Sequence, residues 1–86
     1  METTNLEAYF EGAFRAAIAS GFINGKISEQ QIDIIKEAIS KYREDEIEHV
    51  AIMPERRGEL KRQWKQWIEA TTQGIKDELR AKGKLG

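Results

Sequence analysis

Ser28-Glu29-Gln30-Gln31-Ile32-Asp33-Ile34-Ile35-Lys36-Glu37-Ala38-Ile39 is the stretch that decides the fold. Ser28 with Gln31 three residues on is a capping box: the serine hydroxyl accepts from the Gln31 backbone N–H, and the glutamine side chain reaches back. Ile27 before the cap and Ile32 at the fourth helical position form a hydrophobic staple, which sets the angle at which the chain enters a helix. Ile32, Ile35, Ile39 and Tyr42 then recur at spacings of three and four, so one side of that helix is apolar. Ile47, Val50 and Met53 continue the stripe after a slight rotation. Pro54, the only proline, disfavours helical geometry at the residue before it. The pattern predicts a helix over residues 29–52, bent or frayed at Glu44-Asp45-Glu46, where adjacent acids repel.

Two further helices flank this one. Upstream, Thr4-Asn5-Leu6-Glu7 is a second capping box, and Leu6, Phe10, Ala13, Phe14, Ala17 and Ile18 form an apolar face that ends at Ser20-Gly21. Glu11 and Arg15 stand at the i, i+4 separation that contributes about 0.2 to 0.5 kcal/mol on a helix surface. Downstream, Pro54 or Glu55 opens a third helix, because proline lacks only an N–H that the first turn leaves unbonded anyway. Leu60, Trp64, Trp67, Ile68, Thr71, Ile75 and Leu79 mark its apolar face. Gly58 and Gly74 weaken it by roughly 1 kcal/mol each relative to alanine. Lys82 to Gly86 reads as a frayed basic end.

Between the first two helices lies Phe22-Ile23-Asn24-Gly25-Lys26-Ile27. Asn-Gly between apolar flanks is a hairpin signal, but an isolated two-stranded hairpin is marginal. The preferred reading is a loop whose Phe22, Ile23 and Ile27 plug the end of the core. The expected fold is therefore all-α, a single domain over residues 1–86. It is a three-helix unit, a short N-terminal helix plus a long antiparallel hairpin, and is open to completion as a homodimer.

Composition narrows the function classes. In 86 residues, 40% apolar and 34% charged, there is material for one core and little else. With no cysteine there is no disulfide framework, thiolate metal site or thiol nucleophile. No apolar run approaches the roughly 18 to 20 residues that span a bilayer, and the start is polar, so the expected location is cytoplasmic with no membrane partner. A net charge of −1 argues against general binding to nucleic acid.

Candidate chemistry is sparse. Asn24, Gly25 and Ser28 fall as in the second half of an EF-hand calcium loop, but its first, third and twelfth places hold Ser20, Phe22 and Gln31, which supply none of the required carboxylates. Glu46 and His49 share the Glu-x-x-His spacing of di-iron carboxylate sites, but His49 is the only histidine and a single copy makes no such centre. No glycine-rich phosphate loop or nucleophile motif is present. The expectation is a chain with no catalytic residues, no cofactor and no metal.

Charge distribution carries more information. Residues 1–53 hold 5 basic and 10 acidic side chains, while residues 54–86 hold 9 and 5. Arg56, Arg57, Lys61, Arg62 and Lys65 surround Trp64 and Trp67, a set suited to contacting a partner protein through aromatic anchors in a basic surface. The plainer reading places the acidic second helix against this basic third helix, and the tryptophans in the core. Tyr9, Ile34 and Ile52 fall off the apolar stripes and mark a candidate self-association surface. Gly12, Ala13, Ala16, Ala17 and Ser20 would also let another helix approach the first closely, whether a partner's or the third helix of the same chain.

The function expected from these features is a small non-catalytic adaptor, regulator or inhibitor that binds another protein and forms a homodimer. Compact chains of this kind are common among accessory proteins of phages and other mobile elements. The rival is a nucleic-acid-binding accessory protein that contacts phosphates through the basic third helix. No tight-turn pair of short helices supports sequence-specific reading of DNA.

Overall fold

A computed structural model describes residues 2–86, and only the backbone of residues 2–5. The chain is all-α: α1 (Glu2–Ser20), α2 (Glu29–Val50) and α3 (Pro54–Ala81). α1 starts upstream of Thr4, which therefore lies within the helix; the cap proposed for its side chain falls outside the described residues. α2 and α3 form the antiparallel hairpin, and α1 lies against both. Phe10 stacks edge-on against Trp64 with ring centroids 5.0 Å apart, and Arg15 reaches Glu78 at 3.3 Å, so α1 runs in the same direction as α3. The result is a rod of 46 × 22 × 16 Å whose length is that of α3.

The start of α2 follows the sequence signals closely. Ser28 is extended at φ −83°, ψ 155°, and its Oγ accepts from the Gln31 N–H at 3.0 Å. Ile27 and Ile32 are both buried, as the staple requires. The helix is continuous through Glu44-Asp45-Glu46 to Val50. Neighbouring residues on a helix point about 100° apart, so the three acids do not face one another, and Glu46 pairs with Arg43 at 2.7 Å. Ala51 is extended and ends α2, after which Met53 and Pro54 open α3.

The core is one cluster built from Phe10, Phe14 and Ile18 of α1, Ile32 and Ile47 of α2, and Trp64, Ile68, Ile75 and Leu79 of α3, closed by Ile27 and Ala51. Several positions differ from the sequence stripes, and on α1 Ala13 is exposed, facing the groove beside α2 and not the core. Thr72 is buried and Thr71 only half-buried, because the Thr72 hydroxyl is satisfied by the Ile68 carbonyl at 2.6 Å. Tyr42 lies at the edge of the core and is 60% exposed. Val50 and Met53 are exposed as well. Val50 is the last helical residue, and the extended backbone at Ala51 breaks the helical period before Met53 is reached.

The end of the rod opposite the α2–α3 turn corrects two expectations. Asn24 and Gly25 adopt φ 54° and φ 80°, the paired left-handed geometry of a type I′ turn, and Ile23 and Lys26 exchange backbone hydrogen bonds at 2.8 and 3.1 Å. The set-aside hairpin therefore exists in minimal form. Ile23 is 75% exposed, so only Phe22 and Ile27 plug the core. The last residues are docked rather than frayed. Gly83 at φ 70° donates to the Arg80 carbonyl and Lys84 to the Leu79 carbonyl, the Schellman pattern that terminates a helix. Ile27 then donates to the Lys84 carbonyl at 2.9 Å and Gly86 to the Ile27 carbonyl at 2.8 Å, which lays Leu85 against the core. The hairpin's unpaired backbone is what holds the chain end in place.

Candidate protein-contact surfaces

The residues around the start of α3 do not form one surface. At about 100° per residue, Arg56 and Lys65 lie on opposite sides of the helix. Arg56 pairs with Glu59 at 2.9 Å. Lys61 pairs with Glu48 of α2, and Arg57 stands 3.8 Å from the same carboxylate. Hydrogen bonding from Lys61, together with its charge, holds the Glu48 carboxyl below its usual pKa range. Lys65 lines a cleft between α2 and α3 together with Glu37, Glu44 and Glu69. Arg62 is exposed, with no ion-pair partner among the described residues. Further along the hairpin Lys36 pairs with Glu69, Lys76 with Asp33, and Arg80 with Glu29. The two helices thus bring much of their opposite charge together, as the plainer reading of the charge distribution anticipated.

The tryptophans divide. Trp64 is only 7% exposed and belongs to the core, wedged against Phe10. Trp67 is half-buried, tilted against Trp64 at 5.3 Å, and lines a small apolar cleft with Leu6, Phe10 and Leu60. Trp64 Nε1 and Ser40 Oγ are buried without a hydrogen-bond partner within the chain.

A surface that the sequence reading marked only through Ile52 lies at the α2–α3 turn. Val50, Ile52 and Met53 are 64%, 87% and 62% exposed and sit within four residues of one another. Arg57 braces this turn: its Nη1 donates to the carbonyls of Ala51 and Ile52 at 3.1 and 3.2 Å. Arg57 therefore fixes the backbone that presents Ile52. The available signal was Pro54, which disfavours helical geometry at Met53 and so breaks the helical period through the apolar residues just before it.

The three residues marked for self-association also separate. Tyr9 lines a groove between α1 and α2 with Ala13, Ala38 and Tyr42, and Ile34 lies one turn before Ala38 on α2. Ile52 lies beyond the C-terminus of α2, whose last residue is itself about 24 Å along the axis from Ile34. Gly12, Ala13, Ala16 and Ser20 are exposed, and nothing approaches the Cβ position of Gly12, so α3 does not cover this side of α1.

His49 is exposed, with Nδ1 2.8 Å from the Asp45 carbonyl oxygen, and Glu46 is engaged by Arg43. Among the described residues no group of three His, Cys, Asp or Glu side chains is placed to hold a metal ion, and no helix is long and apolar enough to cross a membrane. No family model, curated protein or solved structure is significantly similar to this chain.

Proposed function

We propose that this chain is a non-catalytic protein-binding module that grips its partner with the α2–α3 turn. The observation that carries this reading is the run of three exposed large apolar side chains, Val50, Ile52 and Met53, on a turn held rigid by Arg57. Apolar anchors on a pre-ordered backbone are what tight binding needs, because less conformational entropy is lost on association. Arg56 and Arg62 follow the turn on the first turns of α3, are exposed, and favour a partner whose apolar pocket has an acidic rim. Compared with the set marked from the sequence, Arg57 and Lys61 become supports of the turn, Trp64 a core residue, and Trp67 the edge of a neighbouring cleft.

A phosphate-binding role for α3 has less support. Lys61 and Arg57 are committed to Glu48, and Arg56 and Lys65 diverge around the helix, so no continuous basic stripe is presented.

The test is a photo-crosslinking residue at position 52, with one at Gln73 on the outer side of α3 as the reference. Any captured protein is purified and its binary complex measured. Expected is capture from position 52 alone, with Ile52→Asp/Met53→Asp weakening the binary complex by about thirtyfold or more and Arg62→Glu by about threefold. Equal capture from both positions, or a complex indifferent to the aspartates, overturns the reading.

A further inference from the structure

We infer that the open face shared by α1 and α2 is a twofold interface, and that it takes a second copy of this chain with the two α2 helices antiparallel about Ala38. Three observations converge on it. The face is apolar and uncovered: Tyr9, Ala13, Ala38 and Tyr42 line its groove, Ile34 extends it, and Tyr9, Ile34 and Tyr42 are 63%, 55% and 60% exposed. Beside Tyr9, the exposed α1 residues on this side, Ala13, Ala16 and Ser20, are small and allow close helix approach. The charged residues of that stretch, Glu11 and Arg15, pair with each other, and Arg15 turns to Glu78 on α3.

The third observation selects the occupant. Ile34, Ala38 and Asp45 fall within a band about 40° wide on α2, with Tyr42 on the α1 side of it and Lys41 and Glu37 on the other. In an antiparallel pair of identical helices, each flank meets the same flank of its partner. Centred on Ala38, this register sets Ile34 against the partner's Tyr42, and Asp45 against the partner's Gln31, whose amide can donate to the carboxylate. Lys41 lies two residues, about 3 Å of helical rise, from exact register with the partner's Glu37, within reach of its long side chain, and the reverse contact repeats by symmetry. Neither Lys41 nor Glu37 has an ion-pair partner among the described residues. The pattern is therefore complementary to itself. Two helices side by side over the length of α1 present about 500 Å² per subunit, near the lower limit of specific interfaces, so the expected dimer dissociates in the micromolar range.

This inference does not rest on the function proposed for the turn, and Ile52→Asp should leave the dimer intact. The chain has no cysteine, so Ala38→Cys places a single thiol on the twofold axis. Under mild oxidation Ala38→Cys should form a disulfide-linked dimer at least about tenfold faster than Gln66→Cys on the outer side of α3. By sedimentation equilibrium, Lys41→Glu and Glu37→Lys should each weaken the dimer by roughly fivefold, and the double swap should return it to within about twofold of the original. A monomer at all concentrations up to about 500 µM overturns the inference. So do equal crosslinking rates at positions 38 and 66, a dimer indifferent to the swaps, or one abolished by Ile52→Asp.

Discussion

The two ends of the rod are built from similar material and finished in opposite ways. At one end Phe22, Ile27 and Leu85 turn inward, and three stretches of chain are tied by backbone hydrogen bonds. At the other, Val50, Ile52 and Met53 turn outward, and the backbone is braced by one arginine side chain. Local sequence makes the difference. Asn24-Gly25 and Gly83 supply left-handed residues that fold the chain back on itself, whereas Pro54 drives its neighbour into extended geometry. An apolar residue at a helix end is thus a core plug or a contact according to the backbone beside it.

Ile27→Ala offers the strongest way to break this contrast. Ile27 is 2% exposed and belongs to the staple of α2, so its truncation is expected to cost about 2 to 4 kcal/mol by chemical denaturation. Gly83→Ala comes next: an alanine at φ 70° is strained, and a loss of about 1 kcal/mol is expected, with the Ile27 amide losing hydrogen-exchange protection.

An acid titration probes both ends through a smaller effect. Lys61 holds the Glu48 carboxyl below its usual pKa range at the open end, and Lys82, then Arg15, do the same for Glu78 near the closed end. A carboxylate whose pKa is lowered on folding stabilises the fold above its unfolded pKa, and that contribution is lost as pH falls through the folded value. Thermal melts should therefore change little between pH 8 and about pH 5 on account of these groups and fall below about pH 4. Glu48→Gln should reduce the size of the fall. The least effect is expected at the open end itself, where Ile52→Ala should change stability by no more than about 0.5 kcal/mol. A larger loss would mean that Ile52 supports the fold and is no free contact.

What could be read from the sequence was local. Ser28 with Gln31, and Pro54 after Met53, act through the backbone within one turn, and the structure has α2 and α3 beginning at those signals. Phe10, Phe14 and Ile18 were legible because a helix of defined start has a defined phase. Thr71 and Thr72 were not separable by composition; the choice fell to packing and to the Ile68 carbonyl. The docked chain end was hidden because it depends on Ile27 meeting Lys84, a pairing that no window of sequence contains. Of the contact surface, the basic residues of α3 were visible as a cluster in sequence. Their divergence around the helix and the commitment of two of them to Glu48 required α2 to be in place.

The pairing of Ile27 with Lys84 and Gly86 also bears on the order of assembly. Closing a loop of that length costs about 3 to 4 kcal/mol in chain entropy when nothing else is formed, and far less once α2 and α3 have already brought its ends together. This latch is therefore expected to form last as the chain folds and to open first when it is perturbed. A spectroscopic label at the exposed Lys84 would therefore report local opening well before the helices part.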